Sequence, residues 1–372
     1  MRFLFLCSVF LMACQTNDLP EFNDWYASQQ KSTHAEMKSA KIYTAEFYSS
    51  PLLIDTIYRS MQGPYEIKPI QLDTQDESLL WIVSYESMVE AVDQKTPLKA
   101  AFMCHNNLNY DQKEKSPWQI KTSGANSRIF TLSEGQTSLD FPKGFGLPMQ
   151  ANQGLKMVSQ VLNHKEKDIH IESRHHVRFK YLKDSELKSP LKALYQQSIF
   201  VTKQISGPAG SYGLPHLCVD HHLDSNQIKG AQPQHDCSIN FSRKNYDPYN
   251  DKHGRRYTGH WKLPYGEERL KTDVTQMLDL DRNSRIHMIG VHLHPYAKAL
   301  SLWDVTTDSL LYAANILTKA DGFGFDSVGY YKDSIGIPVY KDHHYELVSE
   351  YVCYDSTEAH TAMAVMYLYL SE

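Results

Sequence analysis

The sequence lacks a second long apolar run: after the first 14 residues, no stretch is long enough to cross a bilayer as a helix. It also lacks an excess of basic residues, and its formal net charge of −5 gives no reason to expect nucleic-acid binding. Internal repeats, heptads, a phosphate-binding glycine loop, a serine nucleophile elbow and a zinc-protease helix motif are missing as well. These absences argue against a polytopic membrane protein, a coiled coil and the common nucleotide-binding and hydrolase classes.

Long helical periodicity is also scarce, and residues 187–197 form the best short helix candidate. Strand signals are more frequent. Residues 177–182 alternate apolar with mostly charged side chains, and residues 79–83 and 363–370 are apolar and aromatic runs of strand length. The 24 tyrosines and the 12% aromatic content favour β structure too. We therefore predict an all-β protein.

The N-terminus has the pattern of an export signal. A positive Arg2 precedes a short apolar run, and the run ends in the lipobox-like sequence Leu-Met-Ala-Cys, in which the cysteine is Cys14. The pattern predicts a lipoprotein signal peptide over residues 1–13, lipid on Cys14 and a tether over residues 14–41. An ordinary secretory signal is the alternative. The expected location is a bacterial cell membrane, whose bilayer would hold the lipid, and Gln15 favours the outer membrane.

Six cysteines are present, and four remain once the signal and the anchor are set aside. Cys218 and Cys237 are the local candidates for a disulfide, because an exported chain meets an oxidising compartment. A zinc site formed by these two with nearby histidines is the alternative, but the chain has no tight Cys-x-x-Cys pair. The use of Cys104 and Cys353 is left open.

Histidine is abundant, with 18 copies, and its sharpest pattern is His292-Leu293-His294. In a strand, residues i and i+2 point to the same face, so both imidazoles could meet one metal ion. The alternative is two polar residues on a solvent-facing side of a strand, since His-x-His also occurs by chance.

The sequence around this pair, residues 272–275 and 286–298, resembles the second domain of the copper type II, ascorbate-dependent monooxygenases. That family includes peptidylglycine α-hydroxylating monooxygenase and dopamine β-monooxygenase. In it a strand ends in His-Thr-His, and a basic residue follows shortly. The resemblance implies that His292 and His294 are two ligands of the family's oxygen-binding copper.

Residues 345–354 and 362–367 are similar to the family's stretch around Cys-x-Tyr and Glu-Met-Cys. Met363 takes the position of the methionine that completes the oxygen-binding copper site. A thioether beside two imidazoles suits a copper ion that cycles through Cu(I). A methionine of the core is the alternative for Met363, although Met366, on the opposite strand face, is the better core candidate.

The first half resembles the family less completely. His105 remains where the family has a His-His pair for its second, electron-transfer copper, and Leu162 takes the place of the third ligand. Loss of that copper site is the plainer interpretation. The alternative is a site rebuilt around His105 from the neighbouring histidines, namely His164, His170, His175 and His176.

The resemblance covers about residue 66 to the end and implies two jelly-roll-like antiparallel β-sandwich domains packed side by side. We predict them over residues 42–190, with the degenerate copper site, and 191–372, with the copper site. The implied function is a copper monooxygenase that hydroxylates a small-molecule or peptide substrate with O2 and electrons from ascorbate or another one-electron donor. A non-catalytic copper-binding or ligand-binding surface lipoprotein is the alternative. The same double sandwich occurs in a bacterial peptide-N-glycosidase, so the fold does not determine the reaction.

Overall fold

The computed structural model describes residues 41–58, 60–73, 75–111, 128–207, 246–320 and 323–371. The predicted signal peptide, the lipid attachment at Cys14, nearly all of the tether and the Cys218–Cys237 pair lie outside these residues and stay predictions. In the part of the chain that the structure describes, no helix is long and apolar enough to span a membrane.

Strands dominate the described residues. Those that precede residue 208 are β1 (Tyr43–Tyr48), β2 (Leu52–Ile54), β3 (Tyr65–Ile70), β4 (Leu79–Ala91), β5 (Met103–Tyr110), β6 (Arg128–Leu132), β7 (Ser138–Asp140), β8 (Phe145–Gln150), β9 (Leu155–Val161), β10 (Ile171–Lys183), β11 (Lys192–Phe200) and β12 (Lys203–Ser206). Those that follow residue 245 are β13 (Arg256–Thr258), β14 (Trp261–Lys262), β15 (Gly266–Asp273), β16 (Ser284–Leu293), β17 (Ala297–Asp304), β18 (Ser309–Ala313), β19 (Ile316–Thr318), β20 (Phe325–Val328), β21 (Tyr331–Val339), β22 (Tyr345–Cys353), β23 (Thr361–Ala362) and β24 (Ala364–Ser371). Helical structure in the same residues is short: the 3-10 turns Ala100–Phe102 and Asp184–Glu186, and the single-turn helix α1 (Thr275–Leu278).

The largest sheet has ten strands, in the order β1-β10-β4-β8-β11-β24-β16-β21, with β2 paired to β10 and β7 to β4. Its neighbours are antiparallel except for β8 and β11, which pair in parallel through Lys192 opposite Phe145. Two four-stranded sheets, β3-β9-β5-β6 and β15-β22-β17-β18, and three two-stranded pairs complete the described structure. The all-β prediction is therefore confirmed.

The strands on both sides of residue 190 belong to the ten-stranded sheet, since β8 pairs with β11. By their contacts the described residues from 41 onward belong to one compact unit. The division into domains 42–190 and 191–372 stays a prediction.

The helix candidate at residues 187–197 is wrong. From Lys192 onward it is strand β11, which pairs with β24 along its length, Leu194 opposite Ser371 and Phe200 opposite Val365. Burial against a partner strand outweighs the weak local helical pattern.

Aromatic side chains join the sheets into one core. The ring of Tyr85 on β4 stacks on that of Phe130 on β6, with centroids 4.9 Å apart. The hydroxyl of Tyr369 on β24 donates a 2.8 Å hydrogen bond to the carbonyl of Ile129 on β6. Because β24 lies between β11 and β16 and is covered on both faces, its residues are apolar without alternation. This buried strand and its neighbour β16 position the candidate site.

Candidate metal centre

The register of β16 against β24 brings the predicted ligands of the second half together. His292 lies opposite Val365, and the backbone N–H of His294 donates a 3.2 Å hydrogen bond to the carbonyl of Met363. Residues directly opposite each other in an antiparallel pair share a face, so His292, His294 and Met363 lie on one face. Their side chains are buried, with exposures of 6%, 3% and 5%.

A further histidine, His260, joins this group from the position just before β14. Trp261 lies opposite Ala362, which brings the preceding residue, His260, beside Met363. The ring of His260 is 5.0 Å from that of His294, and the rings of His292 and His294 are 5.5 Å apart. No sequence pattern singles out His260, because it is a lone histidine at the end of a polar segment. We call His260, His292, His294 and Met363 the centre.

Burial keeps His292 and His294 neutral. It lowers the pKa of His292 to about 4, with Arg128 and His260 adding to the effect. Burial, followed by the neighbouring His260 and His292, lowers the pKa of His294 well below its ordinary value. At neutral pH these imidazoles are therefore uncharged, which is the form that binds metal ions.

Hydrogen bonding leaves one ring nitrogen of His292 and one of His294 available. The Nδ1 atom of His294 lies 3.3 Å from both the carbonyl and the hydroxyl oxygen of Thr361. When Nδ1 carries the proton and donates it to that carbonyl, Nε2 keeps its lone pair for a metal ion. The Nδ1 atom of His292 is buried without a hydrogen-bond partner. Such an atom costs about 1–3 kcal/mol, which a metal bond would offset.

Three His, Cys, Asp or Glu ligand atoms within 4.8 Å of one another occur at one place among the described residues, formed by Asp355, Glu358 and His360. The three imidazoles of the centre are more widely spaced, so binding an ion requires the rings to turn towards one another. The carboxylate of Asp355 already accepts hydrogen bonds from His360 at 2.9 Å and from the backbone of Thr357 at 2.8 Å. Hydrogen bonding within the loop therefore accounts for this acidic group.

A cleft opens next to the centre, on the side of Thr361. Aromatic contacts form part of its wall: the ring of Phe323 lies 4.9 Å from His164 and 5.4 Å from Tyr296. The residues that line the cleft are Ile57, Tyr58, Ser60, His164, Pro295, Phe323, Glu358, Ala359, His360 and Thr361. Since Pro295 and Thr361 also contact or adjoin His294, a small molecule in this cleft would lie beside the centre.

His105 lies within electrostatic range of both His292 and His175. It is on β5, opposite Gln160, and is 3% exposed. Burial lowers its pKa well below the ordinary value, and the charge of a protonated His292 would lower it further. Leu162, at the position of a ligand in the copper family, packs in an apolar cluster with Met61 and Cys104.

The histidines considered for a rebuilt first-half site lie in different places. His175 is fully buried, with Nδ1 3.3 Å from the hydroxyl of Ser87 and Nε2 3.2 Å from the carbonyl of Gln160. His176 follows it on β10, so it points to the opposite face, where its ring stacks on Tyr48 at 4.4 Å. His164 lines the cleft, and His170 is exposed. The structure does not bring His164, His175 and His176 together.

The two cysteines that the structure describes also lie apart. Cys104 is in the apolar cluster with Leu162, whereas Cys353 ends β22 in the main core. Both are buried thiols. Burial raises the pKa of the Cys353 thiol, which disfavours the reactive thiolate.

His175 predicts a loss of stability in acid. Burial lowers its folded-state pKa to about 4 from the ordinary 6.5. Between these pH values the unfolded chain takes up a proton at His175 and the folded chain does not. The stability that His175 contributes is therefore fully present above pH 6.5 and falls as the pH drops towards 4. The contribution of His175 is at most about 3 kcal/mol. The slope of the unfolding free energy against pH reports the number of protons taken up on unfolding, and we expect His175→Gln to lower that number by about one.

The measurement is urea unfolding of metal-free protein at pH values from about 7.5 to about 4.5, a range that covers most of the titration of His175. His253 is exposed, and His253→Gln is the matched control that should keep the wild-type slope. An unchanged slope in His175→Gln would show that His175 does not titrate between these states.

No protein-family model matches the chain, and a search of curated proteins finds no match. Among solved structures, it is similar to PNGase F, a glycosylasparaginase from Flavobacterium meningosepticum, with 9% identity, a TM-score of 0.35 and coverage of 89% of this chain and 96% of that chain. The crystal structure of the STIV MCP is similar at 8% identity and a TM-score of 0.32, covering 89% of this chain and 97% of that chain. PNGF-II is similar at 8% identity and a TM-score of 0.37, covering 89% of this chain and 65% of that chain. At these identities and TM-scores the similarities carry no argument about what this chain does.

Proposed function

We propose that the chain is a copper-dependent, monooxygenase-like protein whose copper is held by His292, His294 and Met363. The observation that carries this proposal is the shared, buried strand face of the three side chains. Their donor atoms fit copper, since imidazole nitrogen binds Cu(II) well and thioether sulfur favours Cu(I). The buried Nδ1 of His292, which has no hydrogen-bond partner, supports a metal ion at this position.

A copper ion at the centre would supply one-electron redox chemistry and O2 binding for hydroxylation of a substrate C–H bond, with ascorbate or another one-electron donor as the reductant. The protein's own residues would prepare the site for this chemistry. Thr361 orients the ring of His294, and the low exposure of the side chains keeps bulk water out. The cleft at Phe323 and His360 would take a small molecule or a peptide segment next to the centre.

A second candidate is a copper-binding protein without turnover. The arrangement around His105 favours this candidate. Both ring nitrogens of His175 lie within hydrogen-bond distance of Ser87 or Gln160, and Leu162 offers no ligand atom. A family-type enzyme needs a second electron from its second copper. Without that site, the chain would hold copper but would not complete the reaction.

Copper analysis of the purified protein tests the proposal. We expect about one tightly held copper ion per chain, because among the described residues the centre is the place where imidazole nitrogens and a thioether sulfur lie together. Ascorbate-dependent O2 uptake by the copper-loaded protein would support the enzyme, whereas bound copper without uptake would support the second candidate. Protein that holds no copper at micromolar metal would contradict both.

Two tight copper ions would contradict the predicted stoichiometry and indicate a second site. In that case, variants of His164, His175 and His176, made one at a time, would locate it. Free copper at the same concentration without protein is the control for uptake, since free copper alone oxidises ascorbate.

A further inference from the structure

We propose that His260 is a third imidazole ligand of the copper held by His292, His294 and Met363. The inference rests on the proposed function and extends it, because the sequence pattern placed only two histidines at this copper. It makes the donor set three nitrogens and one sulfur.

Backbone pairing places His260 and His294 on either side of Met363. The pairing of β14 with β23 puts Trp261 opposite Ala362 and therefore brings His260 beside Met363. On the other side, the N–H of His294 donates to the carbonyl of Met363. The resulting 5.0 Å separation of the His260 and His294 rings is short enough for modest ring rotations to direct a nitrogen of each towards one ion.

A set of buried contacts holds this geometry. The indole N–H of Trp261 donates a 2.7 Å hydrogen bond to Glu268, whose other oxygen pairs with Lys203 at 2.5 Å. The Trp261 ring contacts Tyr351 edge-on at 6.0 Å, and the Tyr351 hydroxyl donates a 2.6 Å hydrogen bond to the Met363 carbonyl. The same scaffold therefore fixes the residue next to His260 and the backbone of Met363.

The surroundings of His260 are those of a ligand rather than of a surface histidine. Its side chain is 1% exposed, and its ring lies 5.0 Å from that of His294. Imidazole nitrogens bind a metal cation through their lone pairs. A buried histidine that only packs against its neighbours is the alternative, and it predicts no contribution to the metal.

The third imidazole should matter most for Cu(II). Cu(II) prefers several nitrogen donors in a tetragonal arrangement, whereas Cu(I) tolerates fewer and softer ligands. We therefore expect His260→Gln to weaken Cu(II) binding by about tenfold or more and to affect Cu(I) less.

The experiment compares the full-length wild-type protein, His260→Gln and His287→Gln, each loaded with Cu(II). His287 is a buried histidine on β16 whose ring bonds to the Asp333 carbonyl and the Ser371 hydroxyl, so it is the matched control. Chelator competition gives the Cu(II) affinity, and pulsed electron paramagnetic resonance counts the coordinated imidazoles. We expect the count to fall by one in His260→Gln and to stay unchanged in His287→Gln.

His260→Ala with added imidazole provides a second test that does not depend on the glutamine side chain. If His260 is a ligand, free imidazole should enter the space and restore the wild-type resonance spectrum. Near-ultraviolet circular dichroism checks that each variant is folded, and rescue itself requires a folded site.

The outcomes separate the inference from the proposed function. Wild-type affinity and an unchanged imidazole count in His260→Gln, with copper still lost in His292→Ala, would overturn the inference alone. Wild-type copper binding in His292→Ala would overturn the proposed function. Loss of affinity in His260→Gln without a change in the imidazole count, and without rescue in His260→Ala, would show that His260 only packs there.

Discussion

Replacing His292 with alanine is expected to abolish copper binding in both oxidation states. His292 supplies one of the strong nitrogen donors of the centre, and alanine offers no ligand atom in its place. The affinity loss should exceed about a hundredfold for Cu(II). Copper content after gel filtration and competition with chelators specific for Cu(II) and Cu(I) give the result.

The fold should tolerate this substitution. The Nδ1 atom of His292 is buried without a partner, so its removal relieves a desolvation cost that offsets part of the lost packing. His287→Ala is the matched control on the same strand. It should lower the melting temperature, since it removes hydrogen bonds to Asp333 and Ser371, yet leave copper binding intact. Equal copper content in His292→Ala and wild type would refute the proposed centre.

The second large effect concerns the two methionines near the C-terminus. Met363→Leu preserves volume and should cost less than about 1.5 kcal/mol of stability. It should nevertheless weaken Cu(I) binding strongly, leave Cu(II) affinity nearly unchanged and abolish ascorbate-driven O2 uptake, because leucine has no sulfur donor. Without the thioether, Cu(I) is also oxidised more easily.

Met366→Leu is the matched control. Met366 lies opposite Val291 and is fully buried on the other strand face, so the same substitution should leave both copper affinities unchanged. The measurement is competition for Cu(I) and for Cu(II) with wild type and both variants side by side. Damage from Met366→Leu with wild-type behaviour of Met363→Leu would mean that the metal lies on the other face. If neither methionine matters, a plain histidine site should replace the copper centre.

Local sequence patterns were sufficient to predict strands and their buried faces where apolar and polar residues alternate. The alternation in residues 177–182 predicted a strand, and in β10 the apolar Val177 and Phe179 are buried while Arg178 and Lys180 are partly exposed and pair with acidic residues. The two-residue spacing of His292 and His294 likewise predicted one face, since side chains alternate in any strand. Local reasoning failed at residues 187–197, where a helix was predicted but pairing with β24 stabilises a strand from Lys192 onward.

The sequence by itself determined the β class and the fact that His292 and His294 share one face of a strand, because both depend on neighbours in the chain. Only the tertiary structure decided that His260 joins Met363 and that His164, His175 and His176 stay apart. Those relations depend on which distant strands pair and in what register. Pairing partners are selected by burial of whole faces against one another, and no short stretch of sequence carries that information.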